Sequence, residues 1–160
     1  MKINKLGNSL PPVSELGLGT MTFGAETDEA EAWRQLDKYV VAGGNFIDTA
    51  DVYGGGESER IIGRWLADRS PEGIVLATKG RFAAPTGHSG ASRRGLEIAL
   101  ERSLERLGVD SVDLYYVHGW DPDTEVEETV GFLTEAVAAG KIGAIGWSNT
   151  TAWQLQRILD

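Results

Sequence analysis

Residues 112–118 read Val-Asp-Leu-Tyr-Tyr-Val-His, and residues 74–79 read Ile-Val-Leu-Ala-Thr-Lys. Both stretches are nearly continuous in apolar residues rather than alternating. Such runs are typical of strands that are covered on both faces of a parallel sheet. Three further short apolar runs, at residues 16–20, 45–50 and 143–148, are predicted strands of the same sheet. The five runs together predict that a parallel sheet is the centre of the fold.

Amphipathic segments of helical period separate the five runs. They predict helices over residues 28–42, 57–68, 92–107 and 125–139, and the start of another over residues 151–160. Gly43, Gly108 and Gly140 follow three of these segments, where a left-handed residue closes a helix. Thr124 with Glu127 predicts a capping box for the fourth helix. The strand–helix order indicates an α/β fold, either a doubly wound sheet or a (β/α) barrel, and the periodicity alone does not choose between them.

Composition excludes several classes of protein. The 160 residues include no cysteine and two histidines, which rules out a disulfide framework, a thiolate nucleophile and a cysteine-ligated or histidine-rich metal site. The net charge of −9, with basic residues scattered along the chain, argues against binding to nucleic acid or to an anionic membrane surface. No apolar run approaches the roughly 20 residues of a membrane span. Residues 1–12 lack the apolar core of a signal peptide, so the predicted location is the cytoplasm.

Four ionisable side chains lie at the carboxyl ends of predicted strands. Asp48 lies at the end of the second strand with Tyr53 just beyond it, Lys79 ends the third, and His118 ends the fourth. Barrels of this class build their active sites at that rim. A tyrosine phenol ordinarily loses its proton only at about pH 10, but a neighbouring ammonium favours the phenolate, and a carboxylate keeps that ammonium charged. The set predicts general acid catalysis at a substrate oxygen, while a hydride for reduction would have to come from a cofactor.

Several blocks of the sequence resemble the aldo-keto reductase family. The most specific is Asp-Thr-Ala at residues 48–50, followed by Tyr-Gly at 53–54 and later by Ser-Asn at 148–149. The matching blocks lie along the whole chain, at residues 16–21, 46–50, 53–54, 58–59, 77–79, 113–118, 121, 140–142 and 146–149. The resemblance implies a (β/α)8 fold of the TIM-barrel type and reduction of a small aldehyde or ketone with NADPH.

The same resemblance implies a role for each site residue. Tyr53 is the expected proton donor, Lys79 and Asp48 are the pair that tunes it, and His118 orients the carbonyl. The expected contacts to the cofactor, NADPH or NADP+, include the positions that hold the nicotinamide carboxamide and a segment after the first strand. These cofactor-binding residues are Gly19, Thr20, Met21, Asp48, Ser148 and Asn149. No metal ligand is predicted.

Other interpretations of single motifs stay open. The three glycines at 54–56 lack the Gly-Lys-Ser/Thr ending of a phosphate-binding loop, so we interpret them as a turn that leads into the second helix. Lys79 could be a Schiff-base lysine, but that chemistry leaves the aspartate and the tyrosine without roles. Trp120 either lines the substrate pocket with Tyr53 and His118 or merely covers the barrel mouth. His88 is predicted to be a solvated loop residue.

Three functional hypotheses follow from the resemblance. The leading one is an NADPH-dependent carbonyl reductase. The second is a cofactor-binding regulatory homologue with little turnover, and the third is an inactive truncated chain. The sequence does not name the substrate, and it does not decide between NADPH and NADH.

The length is short for the implied barrel, which usually needs about 250 residues. We therefore expect residues 1–160 to be a single domain, the N-terminal five-eighths of a barrel with about five βα units. Residues 1–13, with a turn signal at Gly7 and Asn8, predict a β-hairpin ahead of the first strand. The first and last strands would be exposed edges, so self-association and weak binding of NADPH are expected.

Overall fold

The computed structural model describes residues 1–83 and 89–160, and it begins with the predicted hairpin. Strands β1 (Ile3–Asn4) and β2 (Val13–Ser14) pair antiparallel, with Ile3 opposite Ser14. The segment between them turns at residues 7–9, so the turn signal in the sequence is confirmed.

A five-stranded parallel sheet forms the centre of the fold, and its strands lie side by side in chain order. They are β3 (Leu18–Gly19), β4 (Phe46–Asp48), β5 (Val75–Gly80), β6 (Val112–Val117) and β7 (Ile142–Trp147). All five predicted strands are confirmed, and their bounds differ from the predicted ones by no more than two residues at either end.

The register of the sheet aligns the carboxyl ends of its strands. Gly19 lies opposite Asp48, and Asp48 lies opposite Ala77, two residues before Lys79. Lys79 in turn lies opposite Tyr116. The sheet therefore brings residues that are about 30 positions apart in the sequence to one rim.

Five helices alternate with the strands, as predicted. They are α1 (Glu29–Val41), α2 (Glu57–Arg69), α3 (Arg93–Leu107), α4 (Val126–Ala138) and α5 (Ala152–Leu159). Two of them begin at side-chain caps, because Asp28 accepts a hydrogen bond from the Glu31 N–H and Ser92 from the Gly95 N–H. At the other end of α3, Gly108 closes the helix with φ +66°.

The capping box predicted from Thr124 and Glu127 is wrong. Helix α4 starts one residue later, after Glu125, and Thr124 Oγ1 donates instead to Asp121 Oδ2 at 2.9 Å. The nearly buried Asp121 carboxylate needs donors, and it takes the hydroxyl that would have capped the helix. The capping box in this half of the chain is formed by Thr151 and Gln154 at the start of α5.

The core lies between the sheet and the helices that pack on it. Its largest fully buried side chains include Trp65, Tyr115, Leu100, Ile47 and Leu133. In residues 1–83 and 89–160, no helix is long and apolar enough to cross a membrane.

The last strand leaves apolar surface uncovered. Within residues 1–83 and 89–160, β7 pairs with a strand on one side only, and Ile145 on it is 36% exposed. A groove of about 590 Å³ lies between β7 and the hairpin loop, lined by residues that include Leu10, Tyr116 and Trp147. Helix α5 has no buried residue, and Leu159 on it is 73% exposed.

Candidate active site

Main-chain hydrogen bonds between neighbouring strand ends fix the rim. The Thr49 N–H donates to the Ala77 oxygen at 2.9 Å, and the Asp51 N–H donates to the Lys79 oxygen at 3.0 Å. On the next strand, the His118 N–H donates to the Gly80 oxygen at 2.9 Å. The parallel ladder thus continues past the last residues of the strands and holds the side chains that follow them.

The Lys79 ammonium is the centre of the site. It donates to Asp48 Oδ2 at 2.6 Å, to the Thr49 main-chain oxygen at 2.8 Å and to Tyr53 Oη at 3.3 Å. Its side chain is only 7% exposed, and that of Asp48 is 29% exposed. Lys79 Nζ also lies 4.9 Å from the centre of the Tyr53 ring. The cation therefore stands between a carboxylate and a phenol.

Tyr53 and His118 meet edge to face. Their ring centres are 5.8 Å apart and their planes are inclined at 76°. Phe82, which follows β5, packs against the His118 ring, and the two ring centres are 4.7 Å apart. All four predicted catalytic residues, Asp48, Tyr53, Lys79 and His118, are thus brought together.

Burial, together with the positive charges of Lys79 and Arg81, lowers the pKa of His118 to about 4. The imidazole is therefore neutral at neutral pH. Its Nδ1 atom is buried and has no hydrogen-bond partner among the described residues. This leaves Nε2 as the nitrogen that can reach a ligand.

Ser58 ties three parts of the rim together. Its Oγ donates to the main-chain oxygen of Thr20 at 2.9 Å and lies 3.0 Å from Thr49 Oγ1. Thr20 Oγ1 in turn donates to the Asp48 main-chain oxygen at 3.0 Å. All three hydroxyl side chains are completely buried, so their hydrogen bonds fix the end of β4, where Asp48 lies.

The three glycines after Tyr53 form the predicted turn into α2. Gly54, Gly55 and Gly56 have φ values of +56°, +65° and +91°, a region that favours glycine. A Cβ atom on Gly54 would lie 2.7 Å from the Phe23 oxygen. The triplet is therefore required by backbone geometry, which explains it without a phosphate ligand.

The predicted cofactor segment after β3 divides into three environments. Gly19 is exposed, and a Cβ atom there would meet no atom within 4 Å. Thr20 is completely buried, with its hydroxyl engaged inside the rim. Met21 is 64% exposed. The Thr20 main chain is engaged as well, because its N–H donates to the Asp48 oxygen at 3.1 Å and its oxygen accepts from the Phe23 N–H at 3.1 Å.

Ser148 and Asn149 lie beside the end of β6. Asn149 Nδ2 donates to the His118 main-chain oxygen at 2.8 Å and to Ser148 Oγ at 3.2 Å. Asn149 adopts φ +51°, in the left-handed region that asparagine tolerates better than most residues. Their positions place an amide and a hydroxyl next to the cluster of Asp48, Tyr53, Lys79 and His118.

Trp120 follows His118 on the same loop and is half-buried. Its ring packs edge to face on Trp153, with centres 5.4 Å apart. The Arg81 guanidinium donates to the Trp120 main-chain oxygen at 2.8 Å and lies 4.0 Å from Asp121. These contacts fix the loop that carries the predicted pocket wall.

Sequence reasoning missed Asp51, Arg81 and Phe82 at this site. Asp51 is 2% exposed and lies three residues after Asp48 in the same motif. Arg81 and Phe82 directly follow β5 and contact the His118 loop. Their positions just beyond strand ends were the available signal. Arg81 also has φ +125°, a strained backbone that concentrates at functional sites.

The described residues contain no group of three or more metal-ligating side chains. His88 lies outside the described residues, so the prediction of a solvated loop stays untested.

Several known proteins are similar in sequence to this chain. Residues 15–160 match the sequence profile of the Aldo/keto reductase family. The chain is 41% identical to norsolorinic acid reductase of Aspergillus flavus over 157 residues, which is 88% of this chain and 40% of that protein. It is 34% identical to aryl-alcohol dehydrogenase [NADP(+)] of Phanerodontia chrysosporium, over 91% of this chain and 43% of that protein.

A solved structure confirms the fold. The holo form of the aldo-keto reductase AKR11C1 from Bacillus halodurans superimposes with a TM-score of 0.88 and 36% identity, over 99% of this chain and 54% of that one. The α/β fold with an N-terminal hairpin and five parallel strands is thus that of part of a TIM-type barrel. The chain spans about two-fifths to one-half of the length of the curated relatives that it matches.

Proposed function

The chain belongs to the aldo/keto reductase family, and on that premise we propose that it reduces an aldehyde or ketone with NADPH, using Tyr53 as the proton donor. The observation that carries the proposal is the position of Lys79 Nζ, at 2.6 Å from Asp48 Oδ2 and 3.3 Å from Tyr53 Oη. A fixed cation beside a phenol favours release of the phenolic proton.

The residues of the site then act as follows. NADPH, when bound, supplies a hydride for the carbonyl carbon. The Tyr53 hydroxyl gives its proton to the carbonyl oxygen, and the Lys79 ammonium stabilises the phenolate that is left. Asp48 holds the ammonium in place. The neutral His118 ring donates a hydrogen bond to the same oxygen as negative charge develops on it.

The residues present fit the proposed cofactor. A carboxamide needs one donor and one acceptor. Among the described residues, the Ser148 hydroxyl proton and Asn149 Oδ1 make no hydrogen bond of their own, so this pair offers both. Gly19 and Met21 present open surface at the neighbouring strand end. These residues would hold NADPH, and the buried Thr20 would support the segment that carries Gly19 and Met21.

We propose an aromatic carbonyl compound as the substrate class. The rim has aromatic walls, which suit a flat ring, and these are formed by Tyr53, Phe82, His118 and Trp120. Two relatives are named aryl-alcohol dehydrogenases, which supports the same choice.

We also propose that residues 1–160 are one domain that forms the first five strands of an eight-stranded barrel. The one-sided β7 and the bare face of α5 support this, because further βα units would cover both. When residues 1–160 are produced alone, a second copy is the expected partner for these surfaces.

The Tyr53→Phe variant tests the function. We expect aryl aldehydes to stimulate NADPH oxidation by the chain, and Tyr53→Phe to reduce this rate by about 10²- to 10⁴-fold, because the ring loses its proton. NADPH binding, followed by fluorescence, should stay nearly unchanged. Tyr39→Phe is a control, since Tyr39 is a buried tyrosine on α1 whose hydroxyl bonds main-chain oxygens.

Two outcomes would contradict the proposal. Undiminished turnover by Tyr53→Phe would remove Tyr53 as the acid. Tight NADPH binding without turnover on aldehydes, ketones or sugars would favour a cofactor-binding regulatory role.

A further inference from the structure

A buried acid lies behind Lys79, and the proposed reaction does not use it. Asp51 is 2% exposed. Its main-chain N–H donates to the Lys79 oxygen at 3.0 Å, which fixes Asp51 against the strand that carries the lysine. Its Oδ1 atom is buried and has no hydrogen-bond partner among the residues that the structure describes. Such an oxygen needs an explanation.

The two cations near Asp51 already have carboxylate partners. Lys79 Nζ bonds Asp48, and Arg106 Nε bonds Glu59 Oε2 at 2.6 Å. Glu59 is completely buried, and its other oxygen accepts from Thr78 Oγ1 at 2.6 Å. Both Glu59 oxygens therefore face donors, and one of these donors is a guanidinium. The charges of Lys79 and Arg106 are therefore balanced by Asp48 and Glu59, without a contribution from Asp51.

The groups that face Asp51 do not favour a further negative charge. Burial and the Glu59 carboxylate raise the pKa of Asp51 to about 7, against the weaker opposing effects of Arg106, the Val52 main-chain N–H and Lys79. Tyr115 on β6 is completely buried, and its hydroxyl also lacks a partner among the described residues. An unpaired buried carboxylate is costly, and protonation removes the cost.

We propose that the buried Asp51 side chain gains and loses a proton around neutral pH and is a positioning residue that acts through Lys79 on Tyr53. While Asp51 is neutral, the Lys79 ammonium faces a single carboxylate and exerts its full effect on the phenol. Once Asp51 loses its proton, a second negative charge lies near that ammonium. This charge opposes loss of the Tyr53 proton and makes Tyr53 a weaker acid. The catalytic consequence rests on the proposed function, whereas the protonation state of Asp51 does not.

The first arm of the test observes Asp51 directly. The chain is labelled with ¹³C at its aspartate carboxyl carbons, and the Asp51 resonance is assigned through the backbone and followed from pH 5.5 to pH 8.5. We expect it to titrate near pH 7. An Asp51 carboxyl that is already ionised at pH 5.5 would overturn the proposal. Since this arm uses the wild-type chain, it does not depend on a variant that folds.

The second arm tests the link to Tyr53 with Asp51→Asn, which fixes a neutral side chain of the same shape. The ratio of its reduction rate to that of the wild type should rise about three- to tenfold from pH 6 to pH 8.5. Asp68→Asn, at an exposed position on α2, is the control and should show a constant ratio. A constant ratio for Asp51→Asn would overturn the link.

A third readout separates this proposal from the proposed function. Tyrosinate absorbance should appear at lower pH in Asp51→Asn than in the wild type, and the difference should vanish when Tyr53 is also replaced by Phe. If the chain proves inactive but this difference is present, the proposed function fails and the role of Asp51 stands. If the difference is absent, Asp51 does not act on Tyr53.

Discussion

Glu59 has no exposed surface, and Arg106 is its charged partner. Removing one member of such a pair leaves a buried charge uncompensated, so we expect Arg106→Met to lower the free energy of unfolding by about 3 kcal/mol. Arg102→Met is the matched control, one turn earlier on α3, where the arginine side chain is 57% exposed. It should change the stability by no more than about 0.5 kcal/mol. Urea denaturation measures both, and equal effects would contradict the assigned role of the pair.

His118 predicts a pH profile. Its pKa lies at about 4, below the ordinary value of 6.5, so the folded state binds fewer protons than the unfolded chain between these values. The resulting stability is present above about pH 6.5 and is lost as the pH falls toward 4. The reduction rate should show no change due to His118 between pH 5.5 and 8. His118→Gln should lower the rate by about 10²-fold without altering the profile. A step near pH 6.5 that disappears in this variant would show a charged imidazole instead.

Single residues differ in how far the sequence could predict them. The positions of Asp48, Lys79 and His118 were predictable. Each of them lies at the end of an apolar run, and the carboxyl ends of parallel strands form one rim. Asp51 and Arg81 were not predictable, because their importance depends on burial and on neighbours from other strands. Charge balance inside a protein cannot be inferred from spacing alone.

Helices α2 and α3 approach each other at a glycine. A Cβ atom on Gly63 would lie 2.6 Å from the Arg106 oxygen and 2.7 Å from the Leu107 oxygen, both of which are main-chain atoms. We expect Gly63→Ala to destabilise the chain by about 1–3 kcal/mol, because the helices must move apart. On α4, a Cβ atom on Gly131 meets only the end of Arg93, at 3.9 Å. Gly131→Ala should therefore stabilise by about 0.5–1 kcal/mol. Thermal unfolding compares the two, and a gain for Gly63→Ala would contradict the packing.

Hydrophobic periodicity predicted the strands and helices, but it did not reveal how the start of α4 is capped. Five strands and five helices were predicted because buried runs and amphipathic stripes alternate clearly. The capping box predicted at Thr124 does not form, because the Thr124 hydroxyl donates to the carboxylate of Asp121 in the preceding loop. A cap depends on the other polar groups within reach, and these become known only in the folded chain.

Residues 1–160 expose surfaces that a closed barrel would cover. We expect the chain to associate at micromolar concentration, because β7 has a free edge and α5 a bare apolar face. Ile145→Lys, on β7, should weaken this association. Val41→Lys, at a position that is 90% exposed on α1, is the control and should not. Sedimentation velocity over a range of concentrations measures both. A wild-type chain that stays monomeric throughout would contradict the expectation.

We propose that the Asp48, Tyr53, Lys79 and His118 cluster supports reduction of a carbonyl by NADPH. Incubation of the chain with an aryl aldehyde and NADPH that carries deuterium in the transferable position, followed by mass spectrometry of the alcohol, tests this proposal. We expect one deuterium on the former carbonyl carbon with the wild type, and a yield at least about 10²-fold lower with Tyr53→Phe. An alcohol without deuterium, or an equal yield from the two proteins, would contradict it.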